Sequence, residues 1–235
     1  MAGRTFPHGP HRNVFRENVQ EVARLLEIHS EVSGSNRGRR HNLEVLNKSA
    51  IVLLVATWES YVEELAINSF DFLIKNSAKP EDIPRRVRVL SSKNLKNSKN
   101  ELDVWALADS GWVEVLKQHQ ESTIKKYVKT LNTPRTSNID EIFESLLDLK
   151  NLSDNWYWKG MSKVNSHQKL EQLITLRGEI AHTVKASNSV TKSNILEYKE
   201  FLSRLATISH NKCNRHLLDI CGKQAWRTYK HGQTR

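Results

Sequence analysis

The feature that most constrains how this chain folds is a segment in which one continuous apolar helix face meets a nearly complete apolar ring. Ile51, Leu54, Val55, Trp58, Val62 and Leu65 recur at i, i+3, i+4, i+7, i+11 and i+14, which is one side of a helix. Val52, Leu53 and Ala56 fall on other sides, so residues 50–57 are apolar almost all round. A helix of that kind is expected to be surrounded by protein. The spacing predicts a long central helix from about Arg39 to Asn76, with Pro80 and Pro84 ending the helical region.

Helical periodicity governs the rest of the chain, and strand alternation is nearly absent, so the fold class is all-α. Arg12 to Val32 reads as a first helix, with Val14, Val19, Val22, Leu25, Leu26 and Ile28 as its stripe; the run from Ser33 to Gly38 breaks it. Lys93 to Lys99 reads as a loop or thin helix. Further helices are expected at Trp112–Leu131 and at Ile139–Leu149, the latter capped by Asn138 or Ser137. Asn151 to Met161 is expected to be a loop whose Trp156, Tyr157 and Trp158 either anchor it or offer stacking surfaces to bases. A helix from Asn165 to His182 would use Asn165 and Gln168 as a capping box, and Ala186 to Lys192 would turn. Asn194 and Glu197 would then cap a last helix from Ile195 towards Cys221. The expected organisation is a flexible N-terminus over residues 1–11, one helical domain over 12–221, and a basic, frayed tail over 222–235.

The formal charge of +10 over 235 residues favours a polyanionic partner, nucleic acid above all. Basic clusters at Arg37–Arg40, Arg85–Arg88, Lys93–Lys99 and Lys125–Lys129 spread that field along the chain. No apolar run reaches the roughly 20 residues that span a bilayer, and no basic segment carries an apolar stripe suited to a membrane surface. Residues 1–12 have no apolar export core, so the expected location is the cytoplasm. His210, Cys213, His216 and Cys221 include metal-binding residue types but lack paired knuckle spacing. The expectation is therefore free thiols, no metal and no cofactor.

The chemistry concentrates in Leu173-Ile-Thr-Leu-Arg-Gly-Glu-Ile-Ala-His182. Leu170, Leu173, Ile174 and Ala181 form an apolar stripe, and Arg177 sits on it, seven residues after Leu170. A guanidinium there needs an anion, either a carboxylate or a phosphate gripped by its planar fork. Gly178 lies mid-helix, where glycine costs about 1 kcal/mol against alanine, which suggests a close approach by another backbone or a ligand. His182 lies about 140° round the helix from Arg177. Structural alternatives are a salt bridge from Arg177 to Glu59 or Glu63 and a helix-capping role for His182. Trp58 and Tyr61 read as core.

Two motifs in order carry a family resemblance. Arg177-Gly-Glu-Ile-Ala-His182 resembles the Arg-x4–6-His motif of the HEPN superfamily, and Ala56-Thr-Trp-Glu-Ser-Tyr-Val-Glu-Glu-Leu65 resembles a segment of its RiboL-PSP-HEPN-like branch. The resemblance implies a HEPN-type helical bundle with a long central helix, spanning about residues 12 to 208. It also implies a homodimer in which the arginines and histidines of two copies line one cleft. By the same resemblance the activity is metal-independent endoribonuclease cleavage leaving a 2′,3′-cyclic phosphate, in a toxin or defence effector. Arg177, His182 and Glu59 would be its catalytic residues, Glu59 orienting Arg177 or the histidine. The alternative is a non-catalytic module that binds nucleic acid or a partner protein, and a regulatory partner is a further expectation. Two positions depart from the family pattern: Gly178 stands where many active members have Asn, and Thr183 where Gly is frequent.

Overall fold

A computed structural model describes residues 6–33, 43–130, 134–183 and 189–230. In chain order the longer helices are α1 (Pro10–Ser33), α2 (Glu44–Asn76), α3 (Arg85–Ser91), α4 (Lys93–Lys96), α5 (Gly111–Thr130), α6 (Thr136–Leu147), α7 (Lys163–Thr183) and α8 (Lys192–Cys221). Short 3-10 turns occur at Pro80–Asp82, Glu101–Leu107 and Leu152–Asn155. Among the described residues no strand forms, only an isolated bridge between Trp158 and Met161. The fold is an all-α bundle, as the periodicity requires.

The 33-residue α2 is the central element, packed against α1, α5, α6, α7 and α8. Its buried side is the stripe read from the sequence, Ile51, Leu54, Val55, Trp58, Val62 and Leu65, extended by Tyr61, Ala66, Phe70 and Leu73. Trp58 stacks near Tyr61 and meets Trp156 edge-on, while the Tyr61 hydroxyl donates to the Ala206 carbonyl at 2.5 Å. These contacts pin α2 to α8 and to the loop after α6.

The expectation that α2 is enclosed on all sides does not hold. Val45 is 60% and Leu53 39% exposed, and Ala56 is exposed as well. At 100° per residue these positions lie opposite the Trp58 face, and the bundle covers α2 on one side only. Residues 34–42, including the expected helix start and the cluster Arg37–Arg40, lie outside the described residues, as do 184–188 of the expected turn.

Helix ends differ in detail from the sequence reading. α7 begins earlier, where Ser162 Oγ accepts from the Asn165 amide at 3.1 Å, so Asn165 is the third residue of the cap and not its first. α8 is capped by Thr191, whose hydroxyl accepts from the Asn194 amide while Asn194 Oδ1 accepts from the Thr191 amide. α6 starts at Thr136 after Arg135, which makes no side-chain cap, so neither Asn138 nor Ser137 initiates it. Each shift is about one turn, because several Ser, Thr and Asn residues could serve and packing selects among them.

Residues 222–230 of the expected frayed tail are instead folded back, and 231–235 lie outside the described residues. Ala225, Trp226 and Tyr229 are buried. Asn214 accepts the backbone amides of Ala225 and Trp226 and donates to the Trp226 carbonyl at 2.7 Å. The Arg227 amide donates to the Pro7 carbonyl at 3.1 Å, and His8 Nδ1 lies 2.6 Å from the Tyr229 hydroxyl. The basic composition of this segment concealed two aromatic anchors.

His210 Nε2–H donates to the Arg227 carbonyl at 2.9 Å, which leaves its Nδ1 to accept from His11 Nε2–H at 2.7 Å. Both rings are fully buried. The cysteine-histidine segment therefore diverges: His210 serves this strap, His216 contacts the Leu147 carbonyl at 2.8 Å, Cys213 is buried and Cys221 half-buried, both free thiols.

Candidate active site

The site is built at the meeting of α2, α5 and α7. Along α7, Leu170, Leu173 and Ile174 are buried in the core. One turn on, the same stripe reaches Arg177, which is half-buried, and then Ala181, which is exposed. The core-facing side of α7 thus outruns the core: its last turn presents to solvent a side that is covered four residues earlier. Ile180 keeps the turn attached, and the Thr183 hydroxyl donates to the Glu179 carbonyl at 2.7 Å.

Glu59 projects from α2 at the edge of its buried side, towards Arg177. Burial pushes its carboxyl pKa above the usual carboxylate range, while the Arg177 guanidinium opposes that shift without cancelling it. Burial outweighs the cation because Glu59 Oε1 is enclosed and accepts no hydrogen bond from any described residue. Glu63, one turn along α2, is shifted upward too, by burial and then by Glu64. From α5, the buried Tyr127 faces both carboxylates, and burial followed by Glu59 and Glu63 drives its phenol pKa well above normal. Glu59, Glu63, Tyr127 and Arg177 are thus one electrostatic cluster drawn from three helices.

His182 stands apart from this cluster. It is exposed in the last turn of α7, and its ring makes no hydrogen bond or ion pair with any described residue. The structure therefore joins Glu59 to Arg177 and leaves His182 at the open end of the same helix. Gly178 is half-buried, and a Cβ built there would meet nothing within 4 Å. No backbone or side chain among the described residues presses on it, so they do not supply the expected close approach.

Tyr127 was missed from sequence because it lies in the basic run Lys125–Lys129. A usable signal existed: Leu116, Gln120 and Tyr127 recur at i, i+4 and i+11, and all three are buried. Among the described residues no group of three His, Cys, Asp or Glu is arranged to hold a metal ion. Of the Trp156-Tyr157-Trp158 loop, Trp156 is fully buried, with its indole N–H on Ser209 Oγ at 2.9 Å, and only Tyr157 faces solvent.

The family model RiboL-PSP-HEPN matches residues 15–215, most of the chain and all of the helices described above except the ends of the first and last. The chain belongs to the RiboL-PSP-HEPN family. Its match includes Glu59, Arg177 and His182. No curated protein and no solved structure matches the chain. Membership of a HEPN family places the chain among RNase-like or nucleotide-binding helical modules. No helix among the described residues is long and apolar enough to cross a membrane.

Proposed function

We propose that this RiboL-PSP-HEPN protein is a metal-independent endoribonuclease that works as a homodimer, in the role of a toxin or defence effector. The observation that carries the reading is the end of α7, where a stripe buried at Leu170 and Ile174 emerges beside Glu59 as Arg177 and Ala181, with an exposed His182 on another side of the same last turn. A stripe that runs out of its own core is suited to completion by a second copy.

The surroundings fit that arrangement. On α2, Val45, Ser49, Leu53 and Ala56 form an exposed, small-to-medium apolar face, and Gly178 leaves open space on α7. Two such protomers facing each other would bring two His182 rings to one groove. One imidazole could take the 2′-hydroxyl proton and the other could protonate the departing 5′-oxygen, as general base and acid near neutral pH. Arg177 would hold the scissile phosphate and the charge it gains in the transition state. Glu59 does not reach substrate in this reading; it orients the Arg177 fork.

Incubating the purified protein with RNA in EDTA and analysing product ends tests the assignment. The expected result is cleavage with 2′,3′-cyclic phosphate ends, lost in Arg177→Ala and in His182→Ala while both variants stay folded. Undiminished cleavage in both variants would overturn it. A second reading, a binding module without catalysis, is favoured by Gly178 standing at the place of a polar Asn; it expects salt-sensitive RNA binding and no product.

A further inference from the structure

A separate cleft of about 440 Å³ lies between α1, α8 and the folded-back tail, and none of its lining residues belongs to α7. Its inner wall carries Arg12, only 9% exposed. The Arg12 guanidinium lies 4.7 Å from the centroid of the Tyr229 ring and donates to Thr207 Oγ1 at 3.4 Å and towards the Tyr61 hydroxyl. Among the described residues no carboxylate pairs with it. Hydroxyls and a ring face do not neutralise a buried cation, and burying one without a counter-charge is expensive.

Among the described residues, the side chains packed against Arg12 supply no anion. His11 and His210 are held neutral, burial first and the Arg12 charge among the other causes, and Tyr61 is pushed above the normal phenol range. The first turn of α1 contains no acidic residue, so the positive end of the helix adds to the Arg12 charge. At the rim stand two more cations, Arg16 and Lys199. The one carboxylate in the lining, Glu200, is engaged by Arg204 at 2.9 Å. Three cations thus converge on a pocket whose α1 wall also carries the apolar side chains of Phe15, Val19 and Ala23.

We propose that this cleft binds a nucleoside phosphomonoester, as a free mononucleotide or as the phosphorylated end of an RNA. The planar Arg12 fork matches two phosphate oxygens, Arg16 and Lys199 supply the remaining charge for a dianion, and the apolar wall receives the base. The volume lies in the range of small-ligand sites and exceeds what inorganic phosphate needs. Asn13, Gln20 and Ser203 offer hydrogen bonds to a sugar.

Titration calorimetry of the full chain at low salt with AMP, adenosine and a 2′-O-methyl oligonucleotide, with and without a 5′-phosphate, tests the assignment. Saturable AMP binding is expected, with adenosine at least tenfold weaker. Arg16→Ala and Lys199→Ala should each weaken AMP about tenfold at unchanged melting temperature, and Arg12→Lys, which keeps the charge but loses the fork, by more. Should Arg12→Lys fail to fold, the two rim variants still decide. His182→Ala should bind AMP as the wild type does. A tenfold preference for the 5′-phosphorylated oligonucleotide over AMP would identify an RNA end as the source, and the reverse a free nucleotide. The proposal falls if no phosphorylated probe saturates, or if binding ignores Arg16 and Lys199 and instead disappears in Arg177→Ala.

Discussion

At Glu59 two opposing effects meet. Its carboxylate gains from Arg177 and loses more by burial, so the ionised form is disfavoured in the folded chain. The sign follows from linkage: a carboxyl whose folded value is raised weighs nothing against folding below its unfolded value and destabilises increasingly as pH rises through the folded one. Glu59→Gln should therefore match the wild-type melting temperature near pH 4 and equal or exceed it at pH 7, by calorimetry at both values. On the proposed function the same substitution should lower RNA cleavage about ten- to a hundredfold through kcat, because a neutral amide orients the Arg177 fork poorly. A variant that loses stability at pH 7 but keeps its rate would mean that Glu59 is an ordinary structural partner of the arginine.

At the scale of elements, the contact between α1, α8 and residues 222–230 makes the sharpest statements. Trp226 is buried among His11, His210 and Phe72, so Trp226→Ala should cost about 3–5 kcal/mol in chemical denaturation. A loss below about 1 kcal/mol, the level of ordinary surface changes, would contradict its place in the core. The histidine pair adds a pH signature. Its hydrogen-bond order needs His210 neutral, since a proton on His210 Nδ1 would face the His11 N–H, and burial disfavours a charge on His11 as well. His11 is lowered to about 2 and His210 to about 4. The unfolded chain takes up protons as pH falls below the normal value near 6.5 while the folded chain does not, so stability declines from about pH 6.5 towards 4. The expected readout is a falling melting temperature over that window, flattened in a His210→Gln variant.

Much of this scale was legible in the residues. The α2 stripe, the α5 and α7 spans and the core roles of Trp58 and Tyr61 follow from spacing alone, because period 3.6 survives any packing. Cap positions were not legible, since Ser162, Thr191 and their neighbours are chemically equivalent until a tertiary contact chooses. Nor was the fold-back of Trp226, where a short aromatic anchor sits in basic sequence without a period. The Arg177-to-His182 string marked a helix end correctly and raised the Glu59–Arg177 pairing, yet only three-dimensional packing could show that Tyr127 faces Glu59 and Glu63 while His182 points clear.

For the whole molecule, the uncovered side of α2 and the emergent end of α7 raise the question of association. Leu53→Glu places a charge on a face that is already 39% open, so the monomer should lose less than about 0.5 kcal/mol. On the dimer reading, light scattering should show the wild type shifting from monomer to dimer across micromolar concentrations, Leu53→Glu remaining monomeric, and RNA cleavage failing with it. A monomeric wild type that still cleaves RNA would refute the shared site.

The hydrogen bond between the Arg227 amide and the Pro7 carbonyl, with His8 on Tyr229 beside it, brings two distant stretches of sequence to one point. A short peptide joining residues 6 and 230 would turn the backbone into a ring without disturbing a helix. The sequence order of the bundle then becomes arbitrary: a rearranged gene could open that ring in the exposed turn near Asn97 and begin the protein at α5, and the same helices should assemble.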